Sequence, residues 1–537
     1  MMYNANIQKR YITVLVILLG LFCGFAQEYK SSVATVQKPN IILIYADDLG
    51  IGLLGHEGQK IIKTPYIDQL AKEGLRFTNA YSNMLCAPAR ASLITGLHDS
   101  HERGFEITPG ALYKRLSTGE YTQDQIEKLV NSALTPIPES QVFLGQVAQE
   151  AGYKTAQIGK LEWGFSTTDY QMKRHGWDYY YGYLDHVRAH GFYPPFLFED
   201  GKLVPIEGNT LANCGKSGEP ETPKNFKERK NREGKEQYSQ DLFMNKALNF
   251  INVNKEQPFF LYFPTQLPHG PVAIPKIHPD FVNDHRLTSV EKEYASMVKI
   301  LDDNVGQIMQ KLKELEIDDK TLIIFTADNG HEIYYAQEGR VEKPYSNNRT
   351  GKRFDDVKHK YYSHLSGDIF DGNGGRAGMK RSNLQGGIQV PLIVKWPAKI
   401  NAGGTSHQLV ANYDFLATVA EITGFSGLVR TDGLSFYDEL LGQNSEKEHE
   451  FVVYSSYTGP TLITRKGWKI RTDLKKEVFE LFYLPDDFKE ANDLSEEYPQ
   501  KLQELKNQLL MACEGDLKNG HFTNAGSVLK VSPKAKK

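Results

Sequence analysis

Only four cysteines occur in 537 residues, so no disulfide framework carries this fold. Charge of one sign is equally scarce. Lys and Arg total 63 against 66 Asp and Glu, for a net charge of −3, so there is no bulk basic field to attract nucleic acid. Any anion must be bound locally. A membrane span is also missing, because the apolar run from Ile12 to Phe22 is too short to cross a bilayer comfortably. What is present is an apolar fraction of 40%, enough for a large core in more than one domain.

Lys9 and Arg10 precede the apolar run, and Gly24-Phe25-Ala26 follows it. This is the layout of a signal peptide (residues 1–26) cleaved after Ala26, and it places the mature protein in the periplasm or outside the cell. Cys23 offers a lipoprotein alternative, against which Phe22 is a poor residue directly before a lipidated cysteine.

The mature chain opens with a continuous apolar run from Pro39 to Asp48, and similar runs recur at 258–264, 321–327 and 390–394. Such runs suit strands covered on both faces. Helical patterns lie between them, at 67–73, 141–151, 240–251 and 290–315. The alternation predicts an α/β domain over residues 36–443 with a mostly parallel central sheet flanked by helices. From Glu448 the pattern changes to four short strands and a helix near 497–513, predicting a smaller C-terminal antiparallel sheet with one packed helix (residues 444–526). The basic tail 527–537 reads as disordered. Two polar stretches interrupt the first domain. Residues 208–236 read as a solvated surface excursion. Residues 331–379 carry Arg340, Lys343, Arg349, Lys352, Arg353 and Arg376 among many aromatics, and suit a wall of a substrate cleft.

Asp47 and Asp48 end the first apolar run, and Asp328 and Asn329 end the third. Ligands gather at the carboxyl ends of strands in open α/β sheets. If the two strands are neighbours, three carboxylates and an amide oxygen meet there, an oxygen-only set for a hard cation, Ca²⁺ before Mg²⁺. Separately, each Asp pair would read as a turn or helix cap. Cys86 stands in Leu85-Cys86-Ala87-Pro88-Ala89-Arg90, where a helix is expected to open just after Pro88 with the cysteine on its N-terminal turn. Unpaired backbone N–H groups and the guanidinium of Arg90 would face a tetrahedral oxyanion there.

The run from Cys86 to Gly96 resembles the sulfatase signature C-x-P-x-R-x-x-L-x-T-G, with every fixed position filled. The resemblance implies an alkaline-phosphatase-like fold and oxidation of Cys86 to formylglycine by a maturation enzyme. The hydrated aldehyde then attacks sulfur. Asp47, Asp48, Asp328 and Asn329, with residue 86, match the family's metal ligands. Lys160 in Gly159-Lys160 resembles its first active-site lysine, His269 in Pro268-His269-Gly270 its proton-donating histidine, and Lys380 its second lysine. With Cys86 modified, Cys214 and Cys513 could pair in an oxidising compartment.

Two departures stand out. Many sulfatases carry Gly-Lys-Trp-His at the first lysine, whereas this chain has Gly159-Lys160-Leu161-Glu162. The base for the last step then falls to Glu162 or to His190, which lies in a run similar to Ala-His-x-Tyr-Tyr-Pro. The family's Glu-Gly-Gly-x-Arg-Val-Pro is replaced by Gln385-Gly386-Gly387-Ile388-Gln389-Val390-Pro391. The expected activity is sulfate ester hydrolysis on a sulfated carbohydrate, since aromatic faces stack on sugars and Arg reads further anions. Small aryl sulfates, a phosphatase or phosphodiesterase of the same superfamily, and a non-catalytic glycan binder with unmodified Cys86 are the alternatives.

Overall fold

The computed structural model describes residues 38–102, 105, 110–133, 140–162, 166–343, 360–443 and 447–522. The expected signal peptide with Cys23, the basic tail, and Arg349, Lys352 and Arg353 lie outside these residues. Both sheets described below belong to one compact unit that begins at Pro39. No helix among the described residues is long and apolar enough to cross a membrane.

Three of the apolar runs become β1 (Asn40–Ala46), β7 (Phe259–Pro264) and β8 (Thr321–Ala327), and every residue of all three is buried. Strands without a polar face need cover on both sides, so they take the middle of the sheet. They join β2 (Leu75–Tyr81), β3 (Lys154–Lys160), β4 (Tyr179–Tyr183), β5 (Phe196–Glu199), β6 (Lys202–Pro205), β9 (Leu392–Lys395) and β10 (Gly404–Ala411) in the order β10-β2-β9-β8-β1-β7-β3-β4-β5-β6. β1 is parallel to both β7 and β8, with Ala46 beside Ala327 and Tyr45 beside Pro264. β3 is parallel to β7, while β9 runs antiparallel between β8 and β2. The carboxyl ends of β2, β8, β1, β7 and β3 and the amino end of β9 therefore share one sheet edge.

The second sheet consists of β11 (Phe451–Tyr454), β12 (Thr461–Thr464), β13 (Trp468–Asp473) and β14 (Val478–Tyr483), all antiparallel. Its period-two pattern serves two partners. Val453, Leu462, Ile470 and Leu481 pack against Leu505 and Leu509 of the helix Pro499–Ala512. Val452, Tyr454, Ile463 and Phe482 face Tyr81, Ile388 and Tyr413 of the larger domain.

Polar bonds fasten this contact. Arg471 Nε donates to Asn383 Oδ1 at 2.6 Å, and Lys469 Nζ lies 2.6 Å from Glu490 Oε1. The other oxygen of Glu490 accepts the backbone N–H of Gln385 at 2.6 Å. All four side chains are buried. The small sheet thus grips the segment 383–388 that follows Lys380.

The structure corrects two expectations and refines a third. Residues 208–236 are largely exposed, as expected, yet Arg229 within them is buried between Glu221 and Glu293, with its Nε 2.6 Å from Glu293 Oε2. Arg340 and Arg376 are not on a cleft wall. Arg340 is spent on Glu291 at 2.6 Å, and Arg376 donates to Gln389 Oε1 at 2.6 Å with its guanidinium over Phe488. Cys214 and Cys513 do not pair; both are buried free thiols, the second within the core of the small sheet.

Glu490→Gln would leave the buried Lys469 ammonium without its counter-ion. Such a loss costs about 3 kcal/mol or more, and denaturant unfolding is expected to show it. Adding Lys469→Met is expected to recover much of that loss.

Candidate active site

The shared edge brings together residues as far apart in sequence as Asp48 and Asn329, 281 positions. β1 ends in Asp47 and Asp48, β8 in Asp328 and Asn329, and β3 in Lys160; His269 follows β7. Asp48 has a left-handed φ of 63°, a conformation that Asp tolerates better than most residues. Its backbone N–H donates to Asp328 Oδ1 at 3.0 Å. Gly330 has to be glycine, since a Cβ there would sit 1.9 Å from the carbonyl oxygen of Gly386.

β2 leads into the helix Cys86–Thr95, which starts at Cys86 itself, three residues earlier than expected. Pro88 falls in the first turn, where its missing N–H leaves no intrahelical bond unmade. Gly96 closes the helix at φ 71°, the left-handed position that glycine fills without penalty. One turn along from Cys86, fully buried Arg90 reaches Asp328 Oδ2 at 2.9 Å and Asp47 Oδ2 at 3.4 Å. Lys160 Nζ donates to the same Asp47 oxygen at 2.7 Å.

On the other side, Lys380 Nζ donates to Asp48 Oδ2 at 2.7 Å and lies 3.1 Å from His269 Nε2. Tyr334 also donates its hydroxyl to Asp48 Oδ2, and Asn329 Nδ2 donates to Asp48 Oδ1 at 2.7 Å. His269 Nδ1 bonds the carbonyl of Gly270 at 2.6 Å, which assigns that nitrogen the proton and turns Nε2 toward Lys380.

Electrostatics follow from this packing. Burial pushes the Asp48 carboxyl up, but Lys380, Tyr334 and Asn329 together bring it below its usual value. For Asp328, burial and then Asp47 dominate and push it up to about 7. Burial would lower Lys380, yet Asp48 outweighs it and the ammonium is stabilised. Burial and then Lys380 hold His269 well below the usual histidine range, in its neutral form.

Two oxygens in this cluster, Asp47 Oδ1 and Asn329 Oδ1, are buried with no hydrogen-bond partner. Leaving such atoms unmet is costly. Asp47, Cys86 and Asp328 also present ligand atoms within 4.8 Å of one another. Carboxylate and amide oxygens converging in this way fit a hard dication.

The two candidates for the missing family histidine separate. Glu162 points away from the cluster into the core, where its oxygens take His175 Nδ1 and Trp177 Nε1, each at 2.5 Å. His190 stacks on His269 with ring centroids 4.1 Å apart, and its buried Nε2 has no partner. Cys86, His190, His269 and Lys380 line a cavity of about 410 Å³.

Sequence reasoning missed several residues of this cavity. Tyr334 and Tyr457 are ordinary aromatics in sequence, with nothing to mark them. Lys216 and Glu219 lie in the stretch 208–236, which was read as solvated. Lys343 was anticipated and is present, paired with Glu219.

Comparison with known proteins agrees with this geometry. Residues 39–425 match the Sulfatase family, and residues 378–514 match the domain described as N-sulphoglucosamine sulphohydrolase, C-terminal. An N-acetylgalactosamine-6-O-sulfatase of Bacteroides thetaiotaomicron is 28% identical over 91% of this chain and 96% of its own length. The N-acetylgalactosamine-6-sulfatase of Rattus norvegicus is 30% identical over 72% of this chain, and this chain spans 62% of that protein. A structure solved in work on glycosaminoglycan metabolism by B. thetaiotaomicron superposes with a TM-score of 0.64 at 25% identity, covering 89% of this chain and 100% of the other. A cysteine at a helix N-terminus, an oxygen-rich cluster beside it and a match across most of the chain lead to one conclusion: this protein belongs to the sulfatase family and is a sulfuric ester hydrolase.

Proposed function

We propose that this sulfatase is exported and releases inorganic sulfate from a sulfated oligo- or polysaccharide, with Cys86 matured to formylglycine and Ca²⁺ held by Asp47, Asp48, Asp328 and Asn329. The observation that carries the metal is the pair of unpartnered buried oxygens, Asp47 Oδ1 and Asn329 Oδ1. The carbohydrate rests on the relatives that act on sulfated N-acetylgalactosamine and on a cavity with cations around its mouth.

When bound, the ion would polarise a sulfate oxygen and offset the three carboxylates. Formylglycine, as its hydrate, supplies the oxygen nucleophile for sulfur. Arg90 and Lys160 hold the carboxylates in place and keep positive charge beside the equatorial oxygens, where negative charge grows. The leaving sugar oxygen needs a proton. Lys380 holds one 3.1 Å from His269 Nε2, so His269 can pass it on as the bond to sulfur breaks. Regenerating the aldehyde needs a base near residue 86. His190 suits this role, because burial and the neighbouring His269 keep it neutral and its Nε2 is open.

His190→Ala is expected to lower kcat by about 100-fold or more. Glu162→Gln, by contrast, is expected to lower the unfolding midpoint while folded protein keeps its turnover. A kcat loss in folded Glu162→Gln with turnover kept in His190→Ala would return the base assignment to Glu162. Chelation should abolish sulfate release, Ca²⁺ should restore it, and the calcium-loaded protein should unfold at higher temperature. Sulfate release from a panel of defined sulfated oligosaccharides tests the substrate class. Turnover of aryl sulfates with silence on every glycan would contradict the carbohydrate assignment.

A further inference from the structure

The cavity over Cys86 is bordered by four cations, three of which have carboxylate partners. Lys380 is held by Asp48, Lys343 by Glu219, and Arg381 by Glu332 at 2.9 Å. Lys216 lines the same cavity, yet among the described residues no carboxylate lies within ion-pair distance of its ammonium and no side chain or carbonyl accepts from it. Its charge acts on His190, His269 and Lys380. It shares the cavity lining with His190, His269 and Lys380. Burial, and then the like charges of Lys343 and Lys380, disfavour its charged form although Glu219 opposes them.

The backbone that carries Lys216 is held firmly. Lys216 N–H donates to Asn213 O at 3.2 Å, and Asn213 Nδ2 returns a bond to Lys216 O at 3.0 Å. Cys214 is buried and its carbonyl accepts from Tyr193 N–H at 2.9 Å. Further along, Glu221 N–H bonds Ala336 O at 2.9 Å, and Arg229 ties the segment to Glu293. An ammonium presented by a fixed turn into a half-closed cavity binds an anion with little ordering cost.

Resting on the sulfatase reading above, we propose that Lys216 binds a second anionic group of the substrate, a sulfate or carboxylate other than the one being cleaved. The enzyme is then selective for polyanionic sugars. Selectivity arises from both directions. A second anion gains a charge-assisted bond, and a monosulfated sugar buries the ammonium further with nothing to pair it.

The test is sulfate release by wild type, Lys216→Gln and Lys216→Arg from three probes. These are N-acetylgalactosamine 6-sulfate, the same sugar with a second sulfate at O4, and a uronate-linked disaccharide of N-acetylgalactosamine 6-sulfate. Lys216→Gln should raise KM by about 10- to 100-fold on a probe with the second anion, leave kcat there unchanged, and lower KM on the monosulfated probe, where the ammonium has nothing to pair it. Lys216→Arg should recover most of the loss. A KM change confined to the disulfated sugar identifies sulfate as the second group; one confined to the disaccharide identifies the carboxylate. Equal losses on all three probes would overturn the proposal by assigning Lys216 to the cleaved sulfate, and unchanged kinetics on all three would overturn it outright. If wild type released no sulfate from any probe, N-acetylgalactosamine 6-sulfate would fall as the substrate, and this inference with it, while the wider sulfatase reading is decided by the glycan panel above.

Discussion

Three carboxylates are buried within one hydrogen-bonded cluster, and the rest of the molecule is arranged to make that tolerable. Asp47, Asp48 and Asp328 are all fully shielded from solvent, and isolated buried charges are costly. Arg90 and Lys160 offset the Asp47 and Asp328 side, and Lys380 offsets Asp48. The compensation is incomplete, as the upward displacement of Asp328 shows. A dication would complete it. With the proposed dication bound, Arg90, Lys160, Lys380 and the ion would outweigh the three carboxylates and leave the positive charge that a sulfate group requires.

The cations come from separate parts of the chain, so their positions depend on tertiary structure. Arg90 is carried by the helix after β2, Lys160 by the end of β3, and Lys380 by the segment before β9. Lys380 has the least regular support, and the small C-terminal sheet makes up for this. Asn383 and Gln385 are bonded by Arg471 and Glu490. Through these contacts the small C-terminal sheet positions Lys380, to which the proposed mechanism assigns the leaving-group proton.

The central strands and the carboxylate cluster were legible in the sequence because both obey local rules. β1, β7 and β8 are continuous apolar runs, and an Asp pair after such a run has a natural reading at a sheet edge. The outer strands were harder to see. β2 (Leu75–Tyr81) and β10 (Gly404–Ala411) mix polar and apolar residues because both lie at one margin of the sheet, with partly exposed positions. Lys160, His269 and Lys380 carry no local signal, and only resemblance to sulfatases singled them out. Lys216 and Glu219 lay within a polar stretch whose composition suggests solvent; what places them at the cavity is the burial of Arg229 and Cys214 nearby, which depends on partners far away in sequence. Glu162 shows how a local turn decides between two candidates that sequence left open. A carboxylate two residues after Lys160 looked catalytic, but the left-handed turn at φ 53° sends it toward His175 and Trp177.

Every step of the account depends on the chemical state of residue 86. The direct measurement is the mass of the tryptic peptide Phe77–Arg90 from protein produced in its native cells, with and without an aldehyde-trapping hydrazine. A peptide at the aldehyde mass that shifts with the hydrazine is the predicted result. A peptide that keeps an intact thiol in protein fully active toward sulfate esters would contradict the account.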